Sequence, residues 1–201
     1  GIVETQPDRA TISVGVLTRA KNPSEVQNLN AKTAASVINS IVALGVEHKN
    51  ISTGNYNFNP VYRHTDSGKA ILDGYEASNS VTIIVDDLNL VGKIIDAALN
   101  HGANQVNSLN FGLRDKNLHQ DEALRLAVLD ARRKAEICAA ALGKMILSVR
   151  SVSINSNHIS APRNYKMAAA MIEDAAAYET PIESGTLQCS ASVHVEFEIS
   201  R

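Results

Sequence analysis

The chain has no tryptophan, and aromatic residues make up only 4% of its 201 positions. Alanine and small aliphatic residues must therefore fill its core, and the sequence offers no aromatic platform for stacking bases or sugars. Cysteine is nearly absent too, with Cys138 and Cys189 alone. One pair is compatible with a reducing or an oxidising compartment. An excess of charge of one sign is missing too: the formal net charge is −2, so nothing draws the chain to phosphate backbones or anionic lipid. No apolar run approaches the ~20 residues needed to span a bilayer; the longest, such as Val81 to Val85, have the length of a strand. The chain opens on Gly1-Ile2-Val3 without an initiator Met, as expected if an export signal, or any other leading segment, has been removed.

What is present reads as a folded α+β protein. Hydrophobic residues make up 44% of the chain and charged residues 20%, an ordinary globular balance. A chain of this size can bury roughly 70% of its unfolded surface and needs no disulfide or metal to fold. Asn22-Pro23-Ser24-Glu25 places a capping Asn before a Pro at the first helical position. The apolar stripe Leu29, Ala34, Val37, Ile38 and Ile41 then predicts a helix ending at Leu44-Gly45. A second helix is predicted from Asp86-Asp87 through Leu88, Val91, Ile95 and Ala98 to His101-Gly102. A third runs from near Asn117 along Leu124, Ala127, Val128, Ala131, Ala135, Cys138 and Leu142 to Gly143.

Strict alternation predicts strands at Ala10 to Val16, Tyr75 to Val85 and Leu187 to Ile199, each with one buried and one wet face, as in an antiparallel sheet covered on one side. Weaker strands fall at 51–61, 105–113 and 145–154. The order is β-α-β-β, a connecting helix over 87–102, and β-α-β-β again. We read this as an internal duplication over 7–86 and 104–200 within a single domain spanning 1–201. If unbroken, the segment Gly185 to Ile199 would extend close to 50 Å at ~3.3 Å per residue, so it must bend, carry a bulge or protrude. A protruding strand leaves backbone groups for another chain. The segment Asn155 to Ser184 is too long for a hairpin connection, and its run Lys166 to Ile172 offers a second docking element. Self-assembly is thus expected through the strand over 185–199, the segment over 160–180, or both.

Catalytic signals are weak. The six histidines (His48, His64, His101, His119, His158, His194) lack metal-ligand spacing; His101 and His119 suit helix ends. Asp86-Asp87 reads as a helix cap, and Arg132-Arg133-Lys134 as a solvated helix face flanked by Asp130 and Glu136. No serine sits in a nucleophile elbow; Ser52 and Ser148 read as strand residues. Both cysteines fall on apolar stripes, so both are expected to be buried and inert. The proposed order separates them by on the order of 10 Å, beyond the ~7 Å limit for a disulfide. No catalytic, cofactor or metal residue is assigned, and no enzyme activity is expected.

Several segments together resemble the SIMPL-domain family, which takes in YggE-like and periplasmic immunogenic proteins. They are Pro7-Asp8-Arg9-Ala10-Thr11-Ile12-Ser13-Val14, Gly74-Tyr75-Glu76-Ala77-Ser78-Asn79-Ser80-Val81 and Gly102-Ala103-Asn104-Gln105-Val106 with Phe111. The helix from Glu122-Ala123 to Arg132-Arg133-Lys134-Ala135-Glu136 and the run Pro181-Ile182-Glu183-Ser184-Gly185 complete the set. The resemblance implies an exported, periplasmic or peripherally outer-membrane-associated homo-oligomer linked to oxidative-stress resistance, with no established catalytic residue. Two other readings stay open: a small-ligand carrier with a pocket lined by Tyr75, Phe111 and Val193, and a thiol redox enzyme using Cys138 or Cys189.

Overall fold

Helix α1, Pro23–Ala43, begins where the Asn22 side chain accepts a hydrogen bond from the Ser24 N–H at 3.0 Å, occupying one of the donors that a helix start leaves unpaired. The computed structural model to which it belongs describes residues 1–66, 68–160 and 180–200. The docking run expected at Lys166 to Ile172 lies outside them. Helix α2, Val91–Asn100, follows a short turn capped by Asp87, whose carboxylate accepts from the Asn89 N–H at 3.0 Å. Helix α3, Lys116–Ala141, is capped by Asp115 in the same way at 2.9 Å. All three helices fall where the sequence places them.

The strands are β1 Ile2–Thr5, β2 Arg9–Ala20, β3 Ile51–His64, β4 Ala70–Val85, β5 Gln105–Gly112, β6 Ile146–Ser160 and β7 Leu187–Ile199. Every pairing is antiparallel, and the α+β class is as expected. The strands form two sheets, ordered β3-β4-β2-β5 and β1-β7-β6. The β-α-β-β order recurs along the chain, yet sheet membership does not follow it: β5 joins the first sheet, and β1 completes the second. The described residues accordingly fall into two compact units, 8–112 with 180–183, and 1–7 with 113–160 and 184–200.

In the first unit the period-two pattern is realised directly. Ala10, Ile12, Val14 and Val16 of β2 lie beside Val81, Ile83 and Val85 of β4 on one face. They meet Val37 and Ile41 of α1 and Val91, Ile94, Ile95 and Ala98 of α2 in a single cluster. Full burial of each Val or Ile stabilises by ~1.5–3 kcal/mol, which makes this unit's core the substantial one. The buried face of α1 reads Val26, Asn30, Ala34, Val37 and Ile41, so Leu29, expected inside, is exposed and Asn30 takes its place. The Asn30 amide donates to the Val16 and Ala77 carbonyls and to Thr18 Oγ1, at 2.9, 3.0 and 3.2 Å. It ties α1 to both central strands. Gly74 has φ of +155°, and a Cβ there would come within 2.6 Å of the Ala20 carbonyl oxygen. Only glycine fits that close approach.

The second unit packs α3 mainly over β7 and β1. Its core is two small clusters, one of Leu113, Leu187 and Cys189, the other of Ala123, Ala127 and Ala191. Strand β7 has thirteen residues, shorter than expected, and the irregularities needed to fit it fall on its partner. The register shifts at Ile146/Ser148, Val149/Ser151 and Ile154/Ser156, so β6 carries three extra residues and β7 none.

Candidate functional site

Among the described residues no group of three His, Cys, Asp or Glu side chains is placed to hold a metal ion. His101 ends α2 with Nδ1 2.8 Å from the Ala97 carbonyl oxygen, and His119 lies in the first turn of α3. Asp86 pairs with Arg9 at 2.8 Å, while Asp87 is the cap already described. The basic run on α3 is internally neutralised. Arg132 pairs with Glu136 at 2.9 Å, and Arg133 and Lys134 both reach Asp130, at 2.6 and 2.7 Å. The Lys134 ammonium and then the Arg133 guanidinium hold the Asp130 carboxyl down to about 2. Ser148 lies on β6, its Oγ 2.9 Å from a Glu198 carboxylate oxygen, and Ser52 lies on β3.

The cysteines part company. Both are free thiols; Cys189 is buried in the second unit's core and its thiol is pushed up by desolvation. Cys138 is exposed, which corrects the expectation that both face the core. The reason is that α3 loses its packing surface toward its C-terminal end. After Ala127 the only fully buried position is Ala139, while Ile137, Leu142 and Met145 stand in solvent. An apolar stripe guarantees burial only where something lies opposite it.

That end of α3 borders the first of two uncovered surfaces. The bulges of β6 set Ile146 opposite Ile199, Val149 opposite Phe197, Val152 opposite Val195 and Ile154 opposite Val193. All four therefore share the face on which α3 packs, but the helix lies mainly over β7, and among the described residues it meets β6 only lightly. Val149, Val152 and Ile154 are 56%, 52% and 59% exposed. Between helix and strand runs a groove of about 490 Å³ with Ala139, Ala140, Met145, Ile146, Val149 and Phe197 in its lining. Its charged lining is Arg132, Glu136 and Lys144. Arg132 and Glu136 satisfy each other, whereas Lys144 makes no ion pair among the described residues.

The second surface is aromatic and was not legible from composition. Tyr56, Phe58 and Tyr62 of β3 and Leu72 of β4 are exposed, and Tyr75 is half-buried. The register places Tyr56 opposite Asn79, Phe58 opposite Ala77 and Tyr62 opposite Leu72. Those side chains thus share the face that carries the core further along the sheet. Phe58 and Tyr75 stack with centroids 5.8 Å apart. The scarce aromatics are concentrated on one hairpin, which corrects the expectation that no aromatic platform exists. Period-two spacing of Tyr56, Phe58 and Tyr62 in the sequence carried the signal. Of the residues expected to line a carrier pocket, Tyr75 borders a cavity of about 180 Å³ with Arg19, Val61 and Asp73. Phe111 packs against the first unit's core and Val193 against the second's.

No described helix is long and apolar enough to cross a membrane. The family described as "SIMPL: Protein of unknown function (DUF541)" matches residues 1–197. The "26 kDa periplasmic immunogenic protein" of Brucella melitensis is 29% identical over 99% of this chain and 82% of its own length. "Uncharacterized protein YggE" of Escherichia coli K12 is 26% identical over 98% of this chain and 79% of its own. The protein of the same name from Edwardsiella ictaluri is 26% identical over 99% and 84%. A match over nearly the whole length, on the segments that carry the resemblance, settles membership: the chain belongs to the SIMPL (DUF541) family.

Proposed function

We propose that the chain is a non-catalytic, self-assembling structural module of the periplasm. One observation carries this reading. Among the described residues, the second unit buries seven apolar side chains, four of them alanines, and exposes twelve large ones. So many exposed large apolar side chains beside so small a core suit an interaction surface, and a core of alanines and three larger side chains stabilises little. A second copy laid on β6 and the end of α3 would complete it. The outer edge of β6 adds backbone with no strand partner among the described residues, where β6 pairs with β7 alone. Strand β7 is paired on both sides only from Leu187 to Ala191, so among the described residues its later part, 192–199, keeps a free edge as well.

The periplasmic setting rests on the name of the Brucella relative. A bearing on oxidative-stress resistance then works through assembly, since Cys189 is shielded and Cys138 has no second thiol at hand. Light scattering on purified protein at tens of micromolar tests the reading. The expected mass is a multiple of the 21.5 kDa chain; a monomer overturns it. Fractionation of cells expressing the full-length gene product should place it in the periplasm.

A further inference from the structure

We propose that the contact is head-to-tail: the aromatic face of the β3–β4 hairpin of one copy seats in the α3–β6 groove of the next. This rests on the self-assembly proposed above and adds which two surfaces meet. The hairpin runs past the last β2–β4 pair, Ala20 with Tyr75, to His64 with Ala70. Its end therefore projects by five residues of β4, roughly 17 Å at ~3.3 Å each. The projection carries Tyr62 and Leu72 on the face that continues Tyr56 and Phe58. Tyr62 is among the most exposed large apolar residues of its unit, at 56%.

The hairpin binds by this face rather than by its backbone. Its free edge holds Pro60, which has no N–H to donate, and two register shifts, at Thr53/Asn55 and Val61/Tyr62. Both features obstruct strand addition. The opposite face carries Asn55, Asn57 and Asn59, so the strand is amphipathic and suits a one-sided site rather than immersion in lipid. The groove matches it in chemistry, since Ala139, Ala140, Met145, Ile146, Val149 and Phe197 give it apolar lining. Its Lys144 ammonium lacks a counter-charge among the described residues and so favours the face of an aromatic ring. Two different patches on one chain make a heterologous interface, in which every copy offers one hairpin and one groove.

Mixing variants tests this. Tyr62→Glu spoils the hairpin and Val149→Glu the groove, each by placing a charge where the partner would strip it of water; both positions are exposed, so the fold survives in each. Alone, each variant should lose self-association at least tenfold by light scattering, and Tyr62→Phe should keep it. Mixed, they should form a one-to-one pair of twice the chain mass, because one retains an intact groove and the other an intact hairpin. A mixture that stays monomeric, or a Tyr62→Glu protein that associates like its parent, overturns the proposal while leaving self-assembly standing. A monomeric parent removes both. Should Val149→Glu show an altered circular dichroism spectrum, Lys144→Glu replaces it in the same mixture.

Discussion

Replacing Val149, Val152 and Ile154 together by serine separates the chain's own stability from its assembly. Each side chain is already more than half exposed in the single chain, so each substitution should change the stability of dilute protein by no more than about 0.5 kcal/mol. In the proposed assembly the same side chains would lose their remaining exposure. Burying a whole Val or Ile is worth ~1.5–3 kcal/mol; about half of that remains to be gained, roughly 1 kcal/mol apiece and 3 kcal/mol per chain. At 1.4 kcal/mol per tenfold, the triple variant should associate about 100-fold more weakly. Sedimentation equilibrium gives the association constant, and urea unfolding of dilute protein gives the stability. An unchanged association constant, or a loss of more than ~2 kcal/mol in the dilute chain, refutes the reasoning. The first result means the face is not covered; the second means it already packs within its own molecule.

Other expectations follow from the same structure. Cys138 should react with a thiol reagent in the native protein at one equivalent, and Cys189 only after denaturant is added; equal rates would contradict the burial of Cys189. Ile83→Ala, at the centre of the first unit's core, should cost about 2–5 kcal/mol in urea unfolding, whereas Leu129→Ala on the exposed side of α3 should cost no more than about 0.5 kcal/mol. The folded Asp130 carboxyl lies below its unfolded value of 3.8, at about 2, and Asp73 and Glu122 are lowered as well by Lys21 and Arg125. Their contribution is present above the unfolded value and is lost as pH falls through the folded one. The thermal midpoint should therefore decline from about pH 5 toward pH 2. These exposed pairs are screened by salt, so high ionic strength should flatten the decline. Asp130→Asn should flatten it as well, and an acid limb indifferent to both would assign it elsewhere.

Much of the fold was legible because its signals are local. Asn22, Asp87 and the Gly residues after each helix mark helix ends by chemistry within four residues, and β2 and β4 alternate cleanly because each has one covered face. Strand β6 was weak in the sequence for a physical reason. Its three bulges put inward residues at 146, 149, 152 and 154, a spacing that breaks the period of two. Strand β1 went unread because only its partner, 182 to 188 residues away along the chain, makes Ile2–Thr5 a strand. The exchange of β1 and β5 between sheets is likewise non-local, and a repeat seen in element order cannot reveal it. The misplacement of Cys138 and Leu29 shares one cause: periodicity shows which residues share a side of a helix, but not how far along the helix a neighbour extends. Spacing put Tyr56, Phe58 and Tyr62 on one face, but that this face and that of β6 are uncovered was hidden for the same reason, since exposure of Val149 or Tyr62 depends on what packs over it.

Hydrogen exchange at increasing protein concentration addresses the missing cover most directly. If a second copy completes the smaller unit, amides along the outer edge of β6 and near the end of α3 should gain protection from nanomolar to high micromolar protein, while those of β2 and β4 stay constant. Protection of β6 that is the same at every concentration would contradict the account.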